Sequence, residues 1–142
     1  MTFQSQVLQL LGEKEVRALP AAQERALHAE AFSQYEKGEY RTAAALFTQL
    51  ILIDPFSFAY WQGLASAKQL CRDYEAALQA WSLAVLIETK DPSSYFHVAE
   101  CLMYLEQPQE ALLALEEALC CCRDAELEMQ IYQLKEQLHG TH

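Results

Sequence analysis

The amino-acid sequence predicts an all-α fold, a solenoid of three helix-turn-helix repeats with a short N-terminal helix before them and a C-terminal capping helix after them. Three observations predict it. Segments 34 residues apart line up in register, small and bulky apolar residues alternate in fixed columns through that register, and glycine or proline stands where helices must end or begin.

The register is read from its columns. Tyr40 falls on Tyr74 and then Pro108, Ala43 on Ala77 and Ala111, Phe47 on Trp81 and Leu115, and Leu50 on Ala84 and Ala118. Upstream, Leu27 matches Trp61 and Tyr95, and Ala31, Ala65 and Ala99 form a column of small residues. Two antiparallel helices approach closely only where one offers a small side chain opposite a large one. The alanines are therefore read as holes and Phe47, Trp81 and Leu115 as the bulk that fills the core.

Punctuation gives the helix limits. Gly38 suits the left-handed residue that ends a helix, Asp54-Pro55 closes the next one, Asp91-Pro92 reads as an N-cap followed by proline in the first turn, and Pro108 opens a helix without needing an N–H. Helices are expected near residues 2–16, 21–37, 40–53, 57–71, 74–88, 92–105, 108–122 and 124–138. In the last of these, Leu127, Ile131, Leu134 and Leu138 make one apolar stripe backed by Glu126, Glu128, Lys135 and Glu136, as a solenoid cap requires. The chain thus divides into an N-terminal segment at 1–20, three repeats over 21–123 and a capping helix with its tail over 124–142.

Composition narrows the function classes. With 142 residues, 52% of them hydrophobic and 21% charged, the chain can bury a core and form one domain. A net charge of −10 argues against a nucleic-acid surface. Residues 1–90 hold 10 acidic and 8 basic side chains and residues 91–142 hold 10 and 2, so the negative field lies toward the C-terminus. That field either steers a basic partner or is a solvated face. Neither a secretory leader nor a span of roughly 20 apolar residues is found, so a cytoplasmic protein without a membrane partner is expected.

Cys71, Cys101, Cys120, Cys121 and Cys122 lack CxxC spacing and read as reduced thiols. Consecutive residues of a helix point about 100° apart, so the run from Cys120 to Cys122 cannot converge on one metal. His97 and Glu100, at i and i+3, have a spacing that two metal ligands or an acid-base pair share, but no second histidine or HExxH accompanies them. Neither a Gly-rich phosphate loop nor a Ser, His and Asp set is present. No cofactor, no metal and no enzymatic activity are expected.

The 34-residue period with its alanine columns and aromatic anchors resembles the tetratricopeptide repeat over residues 22–123. Within that superfamily three strings are similar to the class II chaperones of bacterial type III secretion: Ala31-Phe32-Ser33-Gln34-Tyr35 with Gly38-Glu39-Tyr40, Tyr60-Trp61-Gln62-Gly63-Leu64, and Asp91-Pro92 through Phe96-His97-Val98-Ala99-Glu100-Cys101-Leu102. The resemblance implies a chaperone of the bacterial cytoplasm that holds a short extended segment of a translocator protein in a concave groove. It would keep that protein soluble and unassembled before export. A generic repeat adaptor that scaffolds a cytosolic complex is the alternative. The chain departs from the family plan in its short N-terminal segment and in Pro108, which stands where an aromatic residue usually opens the helix.

In such an array the first helix of each pair lines the groove. The positions left free by the core columns are His28, Phe32, Tyr35 and Glu36 in the first repeat, Gln62, Ser66 and Gln69 in the second, and Phe96, Glu100 and Met103 in the third. Phe32 and Tyr35 are read as binding residues, with packing against a neighbouring helix as the competing account. Gln62, Ser66 and Gln69 suit recognition of a peptide backbone, since amides and hydroxyls both donate and accept. The second and third repeats carry no Lys or Arg among these positions, which favours an internal segment over a terminal carboxylate. Phe3, Val7, Leu10 and Leu11 form an apolar stripe that must be covered, from which a weak homodimer through the N-terminal segment is expected, with folding back on the chain's own first repeat as the competing account.

Overall fold

The computed structural model describes Ser5, Gln6, Gln9 and residues 19–140. Of the expected N-terminal helix the described residues are Ser5, Gln6 and Gln9, all helical, and its stripe of Phe3, Val7, Leu10 and Leu11 lies outside them. Among the described residues there are seven helices, α1 (Ala21–Glu36), α2 (Tyr40–Ile53), α3 (Phe58–Leu70), α4 (Tyr74–Ile87), α5 (Pro92–Tyr104), α6 (Pro108–Cys121) and α7 (Ala125–His139). Each packs on its neighbour in sequence, and α7 also reaches α5. None is long and apolar enough to cross a membrane.

The connection within each helix pair repeats one device. Gly38 ends α1 with φ +82°, and the equivalent residues 34 and 68 positions on, Arg72 and Glu106, take φ 63° and 61°. In all three turns the N–H of this residue reaches the carbonyl three positions back, and the next N–H reaches five back, as in Glu39 to Gln34, Asp73 to Lys68 and Gln107 to Leu102. This is the Schellman arrangement, which satisfies the last carbonyls of a helix and needs a left-handed residue. Only the first repeat supplies glycine; the other two hold side chains in a conformation that disfavours them. Helix starts are capped by Ser57, Asp73, Asp91 and Asp124, whose side chains accept from the N–H of Tyr60, Ala76, Ser93 and Glu126.

The columns converge on the interior. Ala31, Ala65 and Ala99, then Ala43, Ala77 and Ala111, then Leu50, Ala84 and Ala118 are all fully buried, and Phe47, Trp81 and Leu115 are buried against them. Four members of the expected core differ. Leu27, Tyr40, Tyr74 and Tyr95 are half-buried and pack on the rim of the core. Three are tyrosines; Tyr40 and Tyr74 open their helices after a turn, and these two sit against other rings. Tyr40 meets Tyr35 edge-on at 5.5 Å, and Tyr74 stacks on Tyr104 at 4.3 Å. In that column only Trp61 is wholly enclosed, and its Nε1 donates to the Pro55 carbonyl at 2.8 Å.

The interior falls into two clusters, one built from α1–α4 with Cys101 and one from α5–α7, and Leu78 and Val98 touch both. Ile131, Leu134 and Leu138 close the second cluster from α7. Gln6 and Gln9 line a cavity with Leu78, Ser82 and Leu86, on a helix of the second repeat.

Candidate functional site

A cavity of about 300 Å³ opens between the first helices of repeats one and two. His28, Phe32 and Tyr35 enter it from α1, Ala59, Gln62, Gly63 and Ser66 from α3, and the buried Phe47 of α2 completes the lining. The α1 residues stand at i, i+4 and i+7 and the α3 residues at i, i+3, i+4 and i+7, so each helix contributes one face. Phe32 is 57% exposed, a large apolar ring left in water at the cavity's edge.

The walls are held from behind. His28 meets Phe47 edge-on at 6.1 Å and Tyr60 at 5.1 Å. The Tyr60 hydroxyl donates to Glu24 Oε1 at 2.7 Å, tying α3 to α1. Burial, with Glu24 beside it, pushes the Tyr60 phenol up to about 12. Burial also raises Tyr35, with Tyr40 and Glu36 adding to the shift and Ser66 opposing it. Both phenols are therefore neutral at physiological pH. Gly63 has its own reason, since a Cβ there would overlap the Phe47 ring. The helices come this close only because that side chain is missing.

Of the other expected groove residues, Gln69 and Phe96 do not line this cavity. Gln69 is spent on the fold, because its Oε1 accepts from Trp81 Nε1 at 2.8 Å and its Nε2 donates to Glu100 Oε1 at 3.0 Å. His97 Nδ1 lies 2.6 Å from the same oxygen, and its ring stacks on Trp81 at 4.7 Å. Trp81, Gln69, Glu100 and His97 thus form a closed ring that fastens repeat two to repeat three. Phe96 is half-buried, edge-on to His97 at 5.7 Å, and packs with Met103 against the second core cluster. Glu36 is exposed. Among the described residues no group of three or more His, Cys, Asp or Glu side chains is arranged to hold a metal ion.

Sequence reasoning missed Ala59 and Gly63 as lining residues and assigned Phe47 to the core alone. The signal was available: Ala59 lies one turn before Gln62, and Gly63 stands four residues after Ala59 and three before Ser66, on the face they share. Chemically the cavity offers aromatic walls, one imidazole, one amide and two hydroxyls. That set accepts apolar side chains and one or two backbone hydrogen bonds of an extended chain.

No family model matches the chain. It is 32% identical to Low calcium response locus protein H of Yersinia pestis over 85 residues, which are 60% of this chain and 51% of that protein. The chain therefore spans about half the length of this curated relative. Its fold matches the Yersinia enterocolitica type III secretion chaperone SycD, solved with a peptide of the translocator YopD, with a TM-score of 0.80, 26% identity, and coverage of 84% of this chain and 95% of that one. PcrH of Pseudomonas aeruginosa matches with a TM-score of 0.79 and 27% identity over 87% of this chain and 96% of that one. In sequence and in fold this chain is related to the type III translocator chaperones.

Proposed function

We propose that this chain is a non-enzymatic chaperone of the bacterial cytoplasm. It holds a short extended segment of a type III secretion translocator against α1 and α3 and keeps that protein soluble and unassembled before export. The observation that carries the reading is the cavity itself. Its walls are His28, Phe32 and Tyr35 on one helix and Gln62 and Ser66 on the next, with Phe32 exposed at the edge. An exposed aromatic ring beside a preformed recess is how an interface anchors an apolar side chain, because rings give large area with little rotamer entropy to lose. Support comes from the related SycD, solved with a YopD peptide, and from PcrH, solved with the chaperone binding regions of PopD and PopB.

Co-expression with the translocator encoded by the same secretion locus tests the reading. The expected outcome is co-purification of a soluble complex that Phe32→Asp disperses while the helical spectrum is retained. A translocator that stays insoluble beside the wild-type chain, or that binds the Phe32→Asp variant equally well, overturns it.

A further inference from the structure

Remote from the groove, a second cavity of about 370 Å³ lies where the loop between α4 and α5 meets the end of α6, near the small end of cavities that take small molecules. Lys90 lines it from the loop, Glu117, Cys120 and Cys121 from α6, and Arg123 from the linker to α7. The Tyr95 hydroxyl donates to the Thr89 carbonyl at 3.1 Å and so anchors the loop on α5. Arg123 is steadied by its Nη1 bond to the Cys122 carbonyl at 3.2 Å.

The three neighbouring thiols are not equivalent. Cys121 Sγ donates to the Glu117 carbonyl at 3.4 Å and to the Ala118 carbonyl at 3.7 Å, and burial pushes its thiol up. Cys122 is buried and donates to the Asp124 carbonyl at 3.3 Å. Cys120 is exposed and makes none of these bonds. The charges that share this lining are specific as well: Lys90 and Arg123 supply two cations and Glu117 one carboxylate.

We propose that this cavity is a thiol-modification site, in which Cys120 forms a mixed disulfide with a zwitterionic peptide thiol of the glutathione class. Such a peptide carries two carboxylates and one ammonium, the complement of Lys90, Arg123 and Glu117. In the reaction the Cys120 thiolate attacks one sulfur of the low-molecular-weight disulfide and the S–S bond breaks. The other half leaves as a thiolate and takes up the proton that Cys120 released. Cys120 is oxidised, and the released half is reduced. The adjacent Cys121 is not placed to resolve the product, and Cys122 is buried with its thiol donating to the Asp124 carbonyl. Successive Cα atoms lie about 3.8 Å apart, short of the roughly 4.4–6.8 Å that a disulfide spans, and on a helix their side chains diverge by about 100°. The mixed disulfide therefore persists until an external thiol removes it, as a reversible cap does.

The test treats the folded protein with glutathione disulfide and follows adducts by intact mass and peptide mapping, with the neutral hydroxyethyl disulfide as comparator. A single early adduct on Cys120 is expected, absent from Cys120→Ser. Lys90→Ala, alone or with Arg123→Ala, should slow the reaction with glutathione disulfide about three- to tenfold and leave the hydroxyethyl disulfide rate unchanged. The single variant keeps the Arg123 bond to the backbone, so its result stands if the double variant melts early. Adducts appearing on Cys71 as fast as on Cys120, or an equal loss of rate with both disulfides, overturn the proposal.

Discussion

Replacing Trp81 probes the joint between repeats two and three, because this side chain belongs both to the core and to the ring of contacts that spans them. Its ring is 2% exposed inside the first cluster, while its Nε1 donates to Gln69 and its face carries the His97 ring. Trp81→Ala removes one of the second repeat's two indole rings from a packed interior, for which about 3–5 kcal/mol is typical. It also strands Gln69 Oε1, worth about 1 kcal/mol more. Against a total near 5–15 kcal/mol this is a large share. Trp81→Phe separates the two parts: the ring remains, the donor is lost, and about 1–2 kcal/mol should go. Urea unfolding followed by circular dichroism reads both variants, with the slope compared so that only midpoint shifts are scored as stability. A wild-type midpoint for Trp81→Ala would refute the repeat register. A wild-type midpoint for Trp81→Phe would refute the part assigned to Gln69.

The groove makes its own prediction: Phe32→Ala and Tyr35→Ala should each weaken binding of a translocator-derived peptide by about 1–3 kcal/mol in calorimetric titration. Phe32→Ala should leave the melting midpoint nearly unchanged, as its ring is exposed. Gly63→Ala should destabilise by about 1–3 kcal/mol, because its Cβ meets the ring of the buried Phe47; a neutral result would show that the ring or the helices can shift freely. Arg72→Gly and Glu106→Gly should each raise stability by about 0.5–1 kcal/mol. Relief of the left-handed strain outweighs the entropy that glycine loses on folding. Unchanged denaturation midpoints in both would count against the strain. For Tyr60, whose phenol is pushed from 10.0 to about 12, the folded value lies above the unfolded one. Its contribution is therefore complete below about pH 10 and is lost as the pH rises through 12. Wild-type stability should fall more steeply over that window than that of Tyr60→Phe, and parallel curves would contradict the link to Glu24.

The period and its columns were enough to determine the all-α array, since a position such as Ala31, Ala65 or Ala99 repeats only if the same close approach of helices repeats. Helix limits near 40–53, 74–88 and 108–122 followed from Gly38, Asp54-Pro55 and Pro108, and the observed helices α2, α4 and α6 lie within a residue of them. Local chemistry suffices there, because capping and proline geometry act over a few residues. His28, Phe32, Tyr35, Gln62 and Ser66 could be placed on two faces by helical spacing alone, and those faces meet at one cavity.

Tertiary structure decided what each side chain does once two faces meet. Spacing put Gln69 on the same face as Gln62 and Ser66, but Trp81 and Glu100 arrive from other helices and use both ends of its amide. Gly63 stood in the sequence only as part of the Tyr60 to Leu64 string, and the folded structure gives its reason, since the Phe47 ring occupies the space of its missing Cβ. Arg72 and Glu106 carried no sign of a left-handed backbone beyond their 34-residue distance from Gly38, and the Schellman bonds of the folded turns hold them there. A periodic pattern specifies which residues face inward. Contacts between residues such as Gln69 and Glu100, 31 positions apart, exist only when the helices have docked.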